Sequence, residues 1–167
     1  NMSAKTIFPS TIRLIEEEDL DLNEVPVNET ENSFTGKRID YIGNYLGMKI
    51  IFRVIENDSH LLAEAEVRHQ HQVRFLPSFY GICHHSEIGS GIIISFSGAR
   101  ELLQATQEDS SLKKETVIDL AHLFYYFNCR DLQMGELTLS SLGLAEQKIV
   151  IQDISEILTH FIQNKPK

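Results

Sequence analysis

The stretch that decides the fold begins at Gly43 and ends at Cys83. It opens with Gly43-Asn-Tyr-Leu-Gly-Met-Lys-Ile-Ile-Phe-Arg-Val-Ile55 and closes with Phe79-Tyr-Gly-Ile-Cys83. The run of β-branched residues that ends at Ile55 predicts a strand, because such side chains pack well on a pleated surface. A short turn over residues 44–47 joins it to an alternating strand over residues 38–42, as in a hairpin.

The residues that follow the hairpin predict a helix and further strands. Asn57-Asp-Ser59 supplies capping side chains for a helix over residues 60–72. Periodicity then predicts strands over 76–83 and 91–96, helices over 100–105 and 115–127, strands over 137–144 and 148–151, and an amphipathic helix over 155–163. We expect the apolar face of the long helix at Val117, Ile118, Leu120, Ala121, Leu123 and Phe124. We expect a buried core at Ile50, Phe52, Val54, Val67, Leu76, Phe79, Ile82, Ile92 and Ile94.

Composition limits the function classes. The chain has 167 residues, 42% of them hydrophobic, and can bury one core. A formal net charge of -9 argues against a nucleic-acid partner. No apolar run is long enough to predict a membrane span. Two cysteines are too few for a disulfide framework, so they do not identify the cellular compartment of the protein. The reducing cytoplasm is the preferred location.

The N-terminal region is polar and acidic. Residues 1–33 contain Glu16-Glu-Glu-Asp-Leu-Asp-Leu-Asn-Glu24 and predict an acidic leader outside the domain. Ile12, Leu14 and Ile15 are the residues that could anchor one turn of this leader.

The order of these elements resembles the small lobe of a protein kinase of the tyrosine-kinase-like kind. In that family a strand pair of the form G-x-Y-x-G-x-x-V-A-I-K-V-I precedes the αC helix and a strand that ends Y-G-V-C, and Glu64-Ala-Glu-Val67 resembles the E-A-x-V of αC. The resemblance covers residues 34–155. It implies an α+β, protein-kinase-like fold: a five-stranded antiparallel small-lobe sheet with αC over residues 34–97, a truncated helical large lobe over 98–155, and a C-terminal helix and tail over 156–167.

The same resemblance places family positions on residues of this chain. Arg53 stands where the family has its ATP-binding lysine, Glu64 stands for the partner glutamate, and Ile94 falls at the gatekeeper position. The segment 28–36, in place of the glycine-rich loop, has one glycine and two acidic side chains, which would repel phosphates. An Arg53–Glu64 pair is expected as a structural bridge between strand and helix.

The catalytic-loop region permits two registers. Cys129-Arg-Asp-Leu132 resembles H-R-D-L and would make Asp131 the catalytic aspartate, but it cuts the preceding helix short. The preferred register keeps that helix intact and places Glu136 on the catalytic aspartate and Ser141 on the metal-binding asparagine. Asp153 then stands in place of the D-F-G aspartate. The resemblance therefore implies a vestigial nucleotide pocket made of Arg53, Glu64, Ile94, Glu136, Ser141 and Asp153.

These departures predict a catalytically inactive pseudokinase with no catalytic residue, no cofactor, no bound metal and weak or no ATP binding. Its partner would be another protein or a second copy of the chain, and its role that of a scaffold or allosteric regulator. The chain ends twelve residues after Ser155, so we expect either a fragment of a longer protein or a reduced kinase-like domain. The alternative is a divergent phosphotransferase with Asp131 or Glu136 as base and Asp153 as metal ligand. An α+β adaptor unrelated to kinases is the third hypothesis.

Overall fold

The structure is a computed structural model that describes residues 12–32, 36–130 and 141–154. The chain divides into two compact units. The first contains Asn1–Gln72 and Ser78–Phe96, and the second contains Val73–Pro77 and Ser97–Lys167.

Among the residues that the structure describes, the first unit contains an antiparallel sheet, one α-helix and a short 3-10 helix, Glu17–Asp19. Across the sheet the strands follow the order β1-β3-β4-β6-β5, and β2 pairs with the same strand as β1, so the sheet is five strands wide. The helix α1 follows β4 along the chain. The predicted α+β class with a five-strand antiparallel sheet is confirmed. The strands are β1 (Leu20–Leu22), β2 (Asn28–Asn32), β3 (Gly36–Tyr45), β4 (Met48–Ile55), β5 (Phe79–His85) and β6 (Gly89–Ser95), and α1 is Asp58–Gln70.

The turn between β3 and β4 is the predicted hairpin. Tyr45 pairs with Met48, which leaves Leu46 and Gly47 as the two turn residues. Their φ values are +50° and +81°. Two successive left-handed residues match the right-handed twist of the flanking strands, which is why this turn closes a tight hairpin.

The helix α1 is capped by Asn57, one of the predicted capping residues. The Asn57 side chain accepts a hydrogen bond from the His60 backbone N–H at 3.1 Å, which satisfies one of the amides left open at a helix start. The helix spans Asp58–Gln70 rather than the predicted 60–72.

Both faces of the sheet are buried. The face under α1 packs Ile55, Leu61, Ile82 and Ile92 together, and the opposite face packs Phe52, Cys83, Ile93 and their neighbours. Of the nine predicted core residues, eight are buried and Phe79 is half-buried. Phe79 remains partly accessible because it begins β5 beside an open cleft.

The N-terminal region differs from the predicted leader. Residues 20–22 and 28–32 are strands of the sheet, paired with β3. Upstream, Ile12 and Ile15 are buried as expected of anchors, whereas Leu14 is 55% exposed. Residues 13–15 lie parallel to β5: the Ile15 N–H donates to the Ile82 carbonyl at 2.8 Å, and the Ile82 N–H donates to the Arg13 carbonyl at 2.9 Å. Hydrophobic periodicity does not predict the strands over residues 20–22 and 28–32, because their side chains are largely polar or acidic and they pair with β3 through backbone groups.

In the second unit, residues 73–77, 97–130 and 141–154 are described, and they form two α-helices and a three-stranded antiparallel sheet in the order β7-β8-β9. Its sheet includes the predicted 148–151 strand, and the predicted 137–144 strand begins at Leu142 within the described residues. The elements are β7 (Arg100–Glu101), α2 (Leu102–Glu108), α3 (Leu112–Asn128), β8 (Leu142–Ala145) and β9 (Lys148–Ile151).

The predicted apolar face of α3 is wrong for most of its members. Val117 is 64% exposed, Ile118 49% and Phe124 44%. The buried side chains are instead Leu112, Thr116, Asp119, Leu123 and Phe127. The reason is Asp119, whose carboxylate accepts the Ile149 backbone N–H at 2.9 Å and pairs with Arg74 Nη2 at 2.5 Å. This polar anchor turns α3 away from its most apolar side.

Several predictions fall outside the described residues. They are the glycine-poor turn at 33–35, Asp131 and Glu136, and the helix and tail over 156–167. Within the part of the chain that the structure describes, no helix combines the length and apolar character needed to cross a bilayer.

Candidate functional site

Arg53 lies on β4 and is held by a carboxylate of the neighbouring strand. It sits directly opposite Asp40 of β3 in the strand register. Arg53 Nε donates to Asp40 Oδ1 at 2.8 Å, and Nη2 donates to Oδ2 at 3.1 Å. Both side chains are about nine-tenths buried. Two parallel charge-assisted hydrogen bonds fix the guanidinium plane as well as its position.

Glu64 of α1 is completely buried and is surrounded by three arginines. Its Oε1 accepts from Arg38 Nη2 at 2.5 Å, and its Oε2 accepts from Arg68 Nε at 3.0 Å. Arg53 Nη1 lies 3.8 Å from Oε2. The expected contact between Arg53 and Glu64 is thus present as an ion pair, while Arg53 makes its two parallel hydrogen bonds with Asp40.

Local geometry explains why these five side chains meet. Arg38 and Asp40 are two residues apart on β3, so they point to the same face of the sheet. Arg68 is four residues after Glu64, so the two are neighbours on one face of α1. We call Arg38, Asp40, Arg53, Glu64 and Arg68 the arginine–carboxylate cluster.

Burial and charge act in opposite directions on the Glu64 carboxyl. Burial alone would raise its pKa, but the attraction of Arg38, then of Arg68 and Arg53, outweighs burial and holds the pKa at about 2. His60, one turn earlier on α1, has its pKa lowered, first by burial and then by repulsion from Arg38. Glu64 is therefore ionised near neutral pH.

The cluster favours structural cohesion over proton chemistry. A carboxylate with so low a pKa has little affinity for a proton and makes a poor general base. Three arginines face two carboxylates, so the cluster has one excess positive charge buried under the helix. Its clearest consequence is mechanical: Glu64 ties α1 to both β3 and β4.

Sequence reasoning missed Arg38, Asp40 and Arg68. A signal for each was present. The alternation in Arg38-Ile-Asp-Tyr-Ile42 places Arg38 and Asp40 on one face, and the four-residue spacing places Arg68 beside Glu64. Within this cluster, the resemblance to kinases assigns a role to Arg53 and Glu64 alone. It assigns none to Arg38, Arg68 or Asp40.

The other predicted site residues are placed as follows. Ile94 is 2% exposed and packs in the α1-side core of the first unit. Ser141 and Asp153 belong to the second unit: the Ser141 carbonyl accepts the Gln152 N–H at 2.7 Å, and Asp153 is half-buried after β9. The structure therefore brings Arg53 and Glu64 together, and describes Ser141 and Asp153 in their own unit.

The strand that leads to the glycine-poor turn is acidic at its surface. Glu29 and Glu31 of β2 are exposed, and Lys37 Nζ lies 3.6 Å from Glu29 Oε2. These carboxylates would oppose the approach of a polyphosphate to this end of β2 and β3.

Among the described residues, the histidines and Cys83 form no second candidate site. His84 Nδ1 lies 2.7 Å from Ser90 Oγ, and the His85 ring is in contact with the Glu87 and Ile88 amides. Across residues 12–32, 36–130 and 141–154, no group of three or more histidine, cysteine, aspartate or glutamate side chains is placed to hold a metal ion. Burial, together with nearby glutamates, raises the pKa of the Cys83 thiol to about 11, which leaves it unreactive.

Two comparisons of the sequence with known proteins give no match. A scan of the sequence against protein-family models finds no match, and no curated protein is significantly similar to the chain.

Proposed function

We propose that this chain is a pseudokinase, a protein-kinase-like domain whose role is to bind other proteins as a scaffold or allosteric regulator. The proposal is supported by the order of the elements, the five-strand sheet and the α-helix that brings Glu64 to the basic residue of β4. These are the features that the resemblance to kinase small lobes leads us to expect.

The observation that carries the proposal is the pairing of Arg53 with Asp40. In an active kinase the basic residue at this position must reach the nucleotide phosphates. Here the guanidinium is nine-tenths buried, and two of its donors are bound by a carboxylate. A phosphate would have to displace Asp40 and then lie beside its negative charge. Nucleotide binding is therefore opposed at the residue on which it should depend.

The role as a binding scaffold is supported by the way α1 is held. Glu64 contacts Arg38 of β3 and Arg53 of β4, and it is buried with its pKa at about 2. A helix fixed to two strands through an ionised, buried carboxylate keeps one pose at neutral pH. A constant helix pose suits a surface that other proteins recognise, since pre-organisation lowers the entropic penalty of binding.

Thermal unfolding with and without ATP and magnesium tests the proposal. A ligand that binds the folded state raises the melting temperature as its concentration passes the dissociation constant. We expect no increase for the wild-type chain and none for Arg53→Lys, because Asp40 remains. The double variant Arg53→Lys with Asp40→Ala removes the competing carboxylate and serves as the matched comparison.

The two outcomes separate the hypotheses. A saturable, magnesium-dependent rise for the wild-type chain contradicts the proposal and favours the phosphotransferase alternative. A rise confined to the double variant supports it, because the pocket would then be retained and blocked by the Asp40 pairing.

A further inference from the structure

The first unit contains an open cleft beside the β3–β4 turn. Its volume is about 350 Å³, which is in the range of small ligand sites. The turn contributes Leu46 and Met48, the last turn of α1 contributes His69, the start of β5 contributes Tyr80, and the segment that pairs with β5 contributes Arg13. We call this cleft the hairpin pocket. It is distinct from the arginine–carboxylate cluster, none of whose members line it.

The charge of the hairpin pocket is opposite to that of the whole chain. The chain has a net charge of -9, yet the residues that line this cleft include Arg13 and no carboxylate. Among the described residues, no aspartate or glutamate lies within ion-pair distance of the Arg13 guanidinium. An available cation at an apolar cleft complements a ligand that carries a carboxylate next to an apolar group.

The turn residue Leu46 is a second, independent observation. Its φ is +50°, a left-handed conformation that asparagine or glycine adopts more easily than a bulky residue. Its side chain is also 67% exposed, and Met48 beside it is 38% exposed. A leucine at this position lowers stability twice, through backbone conformation and through apolar exposure. Such an outlier beside a cleft points to a contact that the isolated chain does not make.

Two tyrosines, Tyr45 and Tyr80, form one wall of the hairpin pocket. Tyr45 is 5% exposed, and its ring centroid is 6.1 Å from that of Tyr80 in a tilted arrangement. Two adjacent tyrosine rings next to two exposed aliphatic side chains offer an apolar surface on which a ring or a branched aliphatic side chain can pack.

We propose that the hairpin pocket binds an acidic peptide segment of a partner protein, with an aromatic or aliphatic side chain against Leu46, Met48 and the tyrosines and a carboxylate on Arg13. The inference rests on the proposed function as a protein-binding domain and specifies its binding surface and the chemistry of the partner. It does not depend on Arg53 or Glu64.

Amide chemical shifts of the isotope-labelled protein test the proposal with defined probes. The probes are N-acetyl-aspartyl-phenylalanine amide, the same dipeptide in reversed order, and the asparagine counterparts of both. They differ in charge but hardly in shape. We expect at least one acidic probe to shift the amides of Leu46, Gly47 and Tyr80 in a saturable manner, and to bind more tightly than its neutral counterpart by up to about fivefold, the size of one exposed ion pair.

Two variants and one control assign the effect. Arg13→Gln should remove the preference for the acidic probe. Leu46→Asn should weaken the binding of acidic and neutral probes alike while leaving the melting temperature equal or higher, since asparagine tolerates the left-handed turn. Arg130→Gln changes an exposed arginine that stacks on Tyr126 in the second unit, and it should leave binding unchanged.

Either of two results overturns the proposal. One is the absence of shifts at the turn with every probe, and the other is an acidic preference that survives Arg13→Gln. A concentration-dependent molar mass that Arg13→Gln returns to that of a monomer would also overturn it, in favour of a second copy as the occupant. These outcomes are separate from the nucleotide experiment: ATP binding with peptide shifts at the turn contradicts the pseudokinase role alone, and silent probes without ATP binding contradict the pocket alone.

Discussion

Arg53 shows how a change of one residue type alters the role of a whole neighbourhood. A lysine is a flexible point charge, whereas the planar guanidinium matches a carboxylate with two parallel hydrogen bonds. Asp40 stands directly across the strand pair at the distance that this fork requires. By resemblance to kinases, this positive charge would bind a nucleotide phosphate. In this protein it is paired with Asp40 of the neighbouring strand instead.

A double-mutant cycle can rank the contacts of Arg53. We expect a coupling energy of about 1–3 kcal/mol between Arg53 and Asp40, because removal of either partner leaves a buried charge. The coupling between Arg53 and Glu64 should be smaller, since the atoms are 3.8 Å apart and Glu64 keeps Arg38 and Arg68. Urea unfolding of the single and double alanine variants gives both values. Equal couplings would show that Arg53 serves the helix as much as the strand.

Acid should weaken the first unit through Glu64. Its folded-state pKa of about 2 lies below the usual 4.5, so the ionised carboxyl contributes stability that is fully present above pH 4.5. That contribution is lost as the pH falls toward 2, in total on the order of 3 kcal/mol. Unfolding free energies measured across this range should decline less steeply for Glu64→Gln than for wild type. Glu31→Gln, on the surface of β2, is the control that should keep the wild-type slope.

The elements differ in how far local sequence determined them. The hairpin and α1 were predictable because their signals are local: a glycine at the turn between two apolar strands, and an asparagine that caps the next helix. The strands β1 and β2 were not, since their pairing with β3 uses backbone groups under acidic side chains. The face of α3 was not predictable either, because hydrophobic periodicity assigns the buried side by the number of apolar residues. Asp119 reverses that assignment through one amide and one arginine distant in sequence.

The orientation of α3 gives a direct test with adjacent residues. Leu123 is completely buried, so Leu123→Ala should lower the free energy of unfolding by about 2–4 kcal/mol. Phe124 is 44% exposed, and Phe124→Ser should change it by less than about 0.5 kcal/mol. Denaturant unfolding followed by circular dichroism measures both. If Phe124→Ser proved the more damaging change, the helix would face the way that its periodicity predicts.

At the scale of the whole molecule, the predictions of site residues divide along the two units. Arg53, Glu64 and Ile94 lie in the first, where the element order could be predicted and the pairing of charges could not. Ser141 and Asp153 lie in the second. Their assignment came from the resemblance alone, because a serine before one strand and an aspartate after the next have no local signature of their own.

The segment of residues 13–15 covers β5, the outer strand at one edge of the sheet. An outer strand with free amides and carbonyls is a template on which another chain can add its own strand. In this protein the Arg13 carbonyl and the Ile15 amide occupy the Ile82 backbone groups, and they can do so because Gly81 has no side chain. A β-carbon at Gly81 would meet the Arg13 carbonyl oxygen well inside van der Waals contact.

In Gly81→Ala, residues 13–15 should no longer pair with β5. The backbone groups of this outer strand would then be available for pairing with another chain. We expect the variant to form oligomers whose molar mass rises with concentration in light scattering, with added β signal in the infrared spectrum. Gly47→Asn, at a turn position with open space around it, should remain monomeric under the same conditions. If Gly81→Ala remained monomeric, the pairing of residues 13–15 with β5 would not be needed to prevent association. The acidic surface alone would then account for the solubility of this domain.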